Sequence, residues 1–138
     1  MHKLKMNSKW PTAEEFVALR VKAGMTPRDM EGAKIGLLNS NYMVTVRDGD
    51  LLVGMGRIIG DGATTFQITD MVVHPNYQGK GLGKKMMGEL ISWLEENATP
   101  NAYVSLIADG DAKYLYKQFG FEDVVPYSIG MQRFIKRG

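Results

Sequence analysis

Residues able to do chemistry gather at few places in this chain. Residues 78–85 read Gln-Gly-Lys-Gly-Leu-Gly-Lys-Lys, where His74-Pro75 has just broken an apolar run. Three glycines thus stand at alternate positions among lysines. Backbone N–H groups at a helix N-terminus form an anion site, and glycine lets a phosphate approach the main chain. Lys80, Lys84 and Lys85 would add point charges at the rim. The glycines alone leave a plain surface turn equally open. Asp70 is the second candidate, a carboxylate in an otherwise apolar run and on the same alternation face as Ile68 and Val72. Charge there is costly unless paired or put to use. A general base, a partnered structural carboxylate and a group that binds a substrate ammonium all stay open for it. His74 reads as a strand end, because a residue before proline favours extended geometry. No Gly-x-Ser-x-Gly occurs, so no serine triad can be assembled.

Composition excludes further classes. Cysteine is absent, which removes disulfides, thiolate metal sites and a Cys nucleophile, and makes a reducing cytoplasm the expected compartment. With His2 and His74 the only histidines, no metal site is expected. Basic and acidic residues number 17 and 15 and are interspersed, a balance that does not ask for nucleic acid. No apolar run approaches the roughly 20 residues that span a bilayer, so no membrane partner is expected. The N-terminal ten residues lack an apolar h-region and read as a short tail or an edge strand. At 138 residues, 44% apolar and 23% charged, the chain fits one globular domain over 1–138.

The elements that must position these groups follow from periodicity and punctuation. Pro11-Thr12-Ala13-Glu14-Glu15 starts a helix that Gly24 stops, and Thr26-Pro27 starts a second one. Residues 42–46, 51–59 and 64–73 read as three strands in meander order, joined by turns at Gly49 and at Gly60-Asp61-Gly62. Leu82, Met86, Leu90 and Leu94 set a helical period that ends at Asn97 and Pro100. Residues 102–108 read as a strand and 111–119 as a short helix capped by Gly120. Val124-Val125 and residues 128–135 read as terminal strands. The order ααβββαβαββ is α/β in class (an α+β mixed sheet), antiparallel and parallel, with helices on both faces and a strand–helix–strand unit at its centre.

Spelling decides what the glycines resemble. Neither the P-loop nor the dinucleotide fingerprint fits, because position 84 is lysine where each requires glycine. Gln78-Gly79-Lys80-Gly81-Leu82-Gly83 matches Gln/Arg-x-x-Gly-x-Gly/Ala. With Val72-Val73-His74-Pro75 before it, the stretch resembles motif A of the GNAT N-acetyltransferase superfamily. Downstream, Ala112-Lys113-Tyr114-Leu115-Tyr116-Lys117-Gln118-Phe119-Gly120-Phe121 is similar to the family's motif B. The two stand in the right order, and the likeness in element order covers residues 42–135.

The resemblance implies a GNAT fold, acetyl-CoA as co-substrate, and acetyl transfer to a primary amine directly in a ternary complex. It assigns cofactor contacts to Met71, Val72 and Val73, to Gln78, Gly79, Lys80, Gly81, Leu82, Gly83 and Lys84, and to Asp109, which stands where the family often has Asn. It makes Tyr116 both a cofactor contact and the acid that protonates the departing thiolate; one more aromatic of an amphipathic helix is the bland alternative. It leaves Asp70 as candidate base. The family's acceptor site maps to residues 23–28 and 126–132, where Met25, Met30, Met55, Met71 and Met131 could line an adaptable pocket or pack the core. Asp29, Glu31 and Asp70 could hold a cationic amine. A small-molecule amine is the expected substrate. A non-catalytic acyl-CoA-sensing module and a protein or peptide N-acetyltransferase are the alternatives, and a homodimer is compatible with the family.

Overall fold

The architecture was taken from a computed structural model, which describes residues 4–136. His2 lies outside them. The chain divides into two units, residues 1–106 and residues 107–138.

The first unit is built on a five-stranded sheet in the order β1 (Leu4–Asn7), β2 (Tyr42–Asp48), β3 (Leu51–Gly60), β4 (Thr65–Val73) and β5 (Tyr103–Ser105). Neighbours from β1 to β4 are antiparallel and β4–β5 is parallel, so the sheet is mixed as expected. The N-terminal segment is an edge strand. Helix α1 (Ala13–Lys22) starts at Thr12, whose hydroxyl accepts from Glu15 N–H while the Glu15 carboxylate accepts from Thr12 N–H, a reciprocal capping box. Helix α2 (Met30–Leu38) begins three residues after Thr26-Pro27, because Asp29 takes the N-cap and accepts from Gly32 N–H.

Two layers of side chains sandwich the sheet. On one face Phe16, Leu19, Ala33 and Leu37 of α1 and α2 pack with Met43, Met55 and Val72. On the other, helix α3 (Leu82–Asn97) lays Met86 and Leu90 against Gly54 and Gly56 of β3. A Cβ at Gly56 would sit 2.5 Å from Met71 Sδ and 3.0 Å from Leu90, so only glycine permits this approach.

One irregularity rearranges β4. Val72 pairs with Met55 and Thr69 with Arg57, so three steps on β4 match two on β3. The extra residue is a bulge at Asp70, whose φ of 55° is left-handed and uncommon outside glycine. Strict alternation is thereby broken. Val72 faces α1, whereas Ile68 pairs with Ile58 on the α3 side. The expected shared face of Ile68, Asp70 and Val72 is therefore corrected: the bulge turns Asp70 over to the side of Val72.

Expected and observed strands also differ towards the C-terminus. Strand β5 covers three residues rather than 102–108, since its ladder with β4 ends at Gln67–Ser105, three residues before the bulge. The described part of the second unit contains one helix, α4 (Ala112–Lys117), and no strand at 124–125 or 128–135. A strand needs an edge to pair with, and this unit offers none. Tyr127, Ile129 and Met131 stay exposed.

Candidate active site

The cofactor side is built almost wholly from main chain. Beyond Gln67, β4 has no partner strand on its β5 side among the described residues, so the edge of Met71, Val72 and Val73 is open. His74 N–H donates to Val53 O at 2.7 Å and closes the strand. The His74 Nδ1 accepts from Asn76 N–H at 3.1 Å, which caps a single 3-10 turn over Pro75–Tyr77. That supports the reading of His74 as a strand terminator. The Gln78 amide donates to Val73 O at 3.1 Å and ties the glycine loop back to the strand.

Gly79 and Gly81 both adopt φ of 80°, a conformation costly for any residue with a Cβ, and nothing lies within 4 Å of where that Cβ would be. Gly81 is the N-cap of α3 and supplies no side-chain cap, so the first N–H groups of a 16-residue helix point from an open cradle. Lys80, Lys84 and Lys85 are exposed around it. Uncapped amides, positive dipole and exposed cations suit a pyrophosphate. Leu82 is buried under the helix, so it contributes packing and a backbone N–H.

The opposite face of β4 is built from side chains. Asp70 is 5% exposed, and each of its oxygens accepts from a guanidinium: Oδ1 from Arg20 Nη1, Oδ2 from Arg57 Nε at 2.9 Å. Arg20 is 2% exposed. Burial pulls its pKa down and the Asp70 charge opposes that. Arg20 also donates to Thr26 O through Nε and Nη2, at 3.1 and 2.9 Å. Arg57 Nη1 donates to Gly36 O and Ser40 Oγ at 3.1 and 3.0 Å. One carboxylate thus joins α1, the α1–α2 loop, α2 and β3. Of the openings left for Asp70, the geometry favours the partnered carboxylate, because a base needs an oxygen turned to the amine.

The other acceptor-side residues are likewise engaged. Asp29 caps α2, and Glu31 pairs with Lys34 at 3.2 Å. Met55 is fully buried, Met25 packs against the core and Met71 lies against Gly56, so these methionines are packing. Sequence reasoning missed Arg20, Arg57 and Ser40. The one available signal was Arg57 inside an apolar strand, a charge that requires a partner as Asp70 does.

Within the second unit, Tyr116 is half-buried on α4 and meets Phe121 edge to face at 6.4 Å between ring centres. Burial raises its pKa above the ordinary 10, and the charge of Asp109 raises it further. A phenol held this way keeps its proton at neutral pH. Gly120, with φ of 89°, is the left-handed stop expected of it. Asp109 O accepts from Ala112 N–H at 3.1 Å at the start of that helix.

Against known proteins, the acetyltransferase (GNAT) domain family matches residues 39–123, a range that crosses from the first unit into the second. The chain belongs to the GNAT family. A solved Staphylococcus aureus protein of unknown function, described as a probable acetyltransferase, is 44% identical over 98% of this chain and all of its own, with a TM-score of 0.90. An uncharacterized N-acetyltransferase, ycf52, of Pyropia yezoensis is 33% identical over 78% of this chain, which spans 63% of that relative's length. The ribosomal protein bS18-alanine N-acetyltransferase of Haemophilus influenzae is 36% identical over 46% of this chain and 42% of its own. Among the described residues no cluster of His, Asp or Glu could hold a metal ion, and no helix is long and apolar enough to cross a membrane.

Proposed function

We propose that this GNAT chain is an acetyl-CoA-dependent N-acetyltransferase acting directly on the primary amine of a small molecule. One observation carries the reading: an uncapped helix N-terminus behind two left-handed glycines adjoins a strand edge left open where the β4–β5 ladder ends at Gln67. Bound acetyl-CoA supplies an acetyl group already activated as a thioester. The amides of residues 78–84 and the Lys80 and Lys84 ammonium groups hold the pyrophosphate. The main chain of Met71, Val72 and Val73 pairs with the pantetheine arm as an added strand, and its N–H groups polarise the carbonyl. Tyr116 holds a proton at Oη for the departing sulfur. Asp70 enters as the anchor of Arg20 and Arg57, and the ammonium gives its proton to solvent. The rate then climbs with pH toward the amine's own pKa, near 10.4 for an alkylamine.

Thiol release against an amine panel tests this. The Tyr116→Phe substitution should lower kcat by roughly 10²–10⁴-fold with little change in KM. Because the phenol's pKa is raised, the wild-type rate should fall only as pH passes that raised value, and the variant should lack the limb. Coenzyme A binding with no release on any amine would mean an acyl-CoA-binding module. The bS18-alanine relative favours a second reading, protein acetylation, which acetylation of peptide N-termini alone would establish. The proposal extends to a cytoplasmic homodimer, for which the exposed Tyr127, Ile129 and Met131 supply apolar surface; light scattering at the mass of a monomer would remove the dimer.

A further inference from the structure

A pocket of about 260 Å³ opens between α1, α2 and β3, and its walls include Phe16, Arg28, Asp29, Gly32, Gly36 and Arg57. It lies just below the ~300–1,000 Å³ of drug-sized sites, which suits a small acceptor. Its electrostatics are unlike those expected for a cationic substrate. Both oxygens of Asp70 are taken by guanidinium groups, and Asp29 is occupied as the α2 cap. Arg20 and Asp70 cancel, which leaves Arg28 and Arg57 against Asp29 alone.

Both arginines have donors to spare. Arg57 is fixed by bonds to Asp70, Gly36 and Ser40 and lies over the Phe16 ring at 5.7 Å, yet its Nη2 has no hydrogen-bond partner among the described residues. Arg28 is exposed and spends Nη1 on Thr26 Oγ1 at 2.8 Å, its Nη2 and Nε being without partners among the described residues. Thr26 is itself held by Arg20, so the Arg28 anchor is tied to the same buried network. A guanidinium with its plane fixed and an unspent edge is suited to a carboxylate or phosphate oxygen.

The geometry points to an acceptor that carries its own anionic group, a carboxylate or a phosphate, bound by Arg28 and Arg57 while its amine reaches toward the bulge at Asp70. This rests on the acetyltransferase reading and narrows it: a free polyamine meets two guanidinium groups against one carboxylate in this pocket, a net positive charge, and an amino acid or an amino phosphate meets complementary charge.

The test uses matched pairs with the whole chain. An α-amino acid is compared with its carboxamide, and phosphoethanolamine with ethanolamine, by thiol release and by the thermal midpoint without acetyl-CoA. The anionic member of one pair should be favoured roughly 10- to 100-fold in kcat/KM, the scale of one hydrogen bond to a charged group. The pair that responds tells carboxylate from phosphate. In Arg28→Ala that ratio should collapse toward one through KM, with partial rescue in Arg28→Lys. Arg57 also anchors Asp70, so the exposed Arg28 carries the test if Arg57→Lys fails to fold. Equal or better turnover of the neutral members, of polyamines or of carboxamide-blocked peptides overturns the inference and leaves acetyl transfer standing. If no amine is acetylated but an anionic amine raises the wild-type midpoint and not that of Arg28→Ala, the pocket assignment stands and the acetyltransferase reading falls. If neither turnover nor a shift is seen, both fall.

Discussion

The two sides of strand β4 are made by opposite means. On the glycine-loop side the working groups are main-chain amides, presented by Gly79 and Gly81 in left-handed geometry and by a helix start without a side-chain cap. On the pocket side they are side chains, with Asp70 gripping Arg20 and Arg57, and Arg57 gripping Gly36 and Ser40. A backbone cradle depends on a few consecutive residues and stays open to solvent. A buried ion network depends on partners 13 and 50 residues apart in the chain and fails if one is removed. The sides should therefore respond differently to substitution: the cradle in affinity, the network in stability.

The sharpest way to break this contrast is Asp70→Asn. It leaves a 2%-exposed arginine without its counter-charge, and urea unfolding should show a loss of about 3–5 kcal/mol. If stability holds and only the pH–rate profile changes, Asp70 is a base after all. Gly81→Ala acts on the other side. Forcing a Cβ to φ of 80° costs about 1–2 kcal/mol locally. Calorimetry should find coenzyme A binding weaker by about tenfold, with folding largely kept. A stability loss as large as that of Asp70→Asn would show the loop to be structural.

The smallest effect should come from a partly exposed pair. Arg47 holds the Glu15 carboxyl at about 2, against its ordinary 4.5, chiefly through its hydrogen bonds and with help from the Thr12 cap. A depressed carboxyl stabilises the fold fully above pH 4.5, and that contribution drains away as pH falls toward 2. Glu15→Gln should cost about 1 kcal/mol at neutral pH, less than Asp70→Asn because water screens the pair, and the difference from wild type should shrink in acid.

Legibility followed the same division. The glycine loop, the helix from Leu82 and the motif B tyrosine could be read because each is a local pattern, with local reasons for its conformation. The three-strand meander was equally local. Asp70 was visible as an anomaly, but its role was not, because an apolar strand does not announce a bulge. The register shift opposite Gly56 sends Asp70 to the α1 side, and strict alternation had placed it with Ile68. The terminal strands failed for a related reason. Val124, Tyr127 and Ile129 have strand-like composition, but a strand exists only where an edge accepts it.

By itself the sequence determined the family, the element order from α1 to α4 and the glycine cradle, because glycine geometry, helix periodicity and motif spelling are properties of neighbouring residues. Only the tertiary structure decided what faces the pocket. Arg20, Arg28, Arg57 and Asp70 come from three separate stretches of chain, and the charge they present depends on which of them cancel. That is set by distance and burial, and neither is written in residue order.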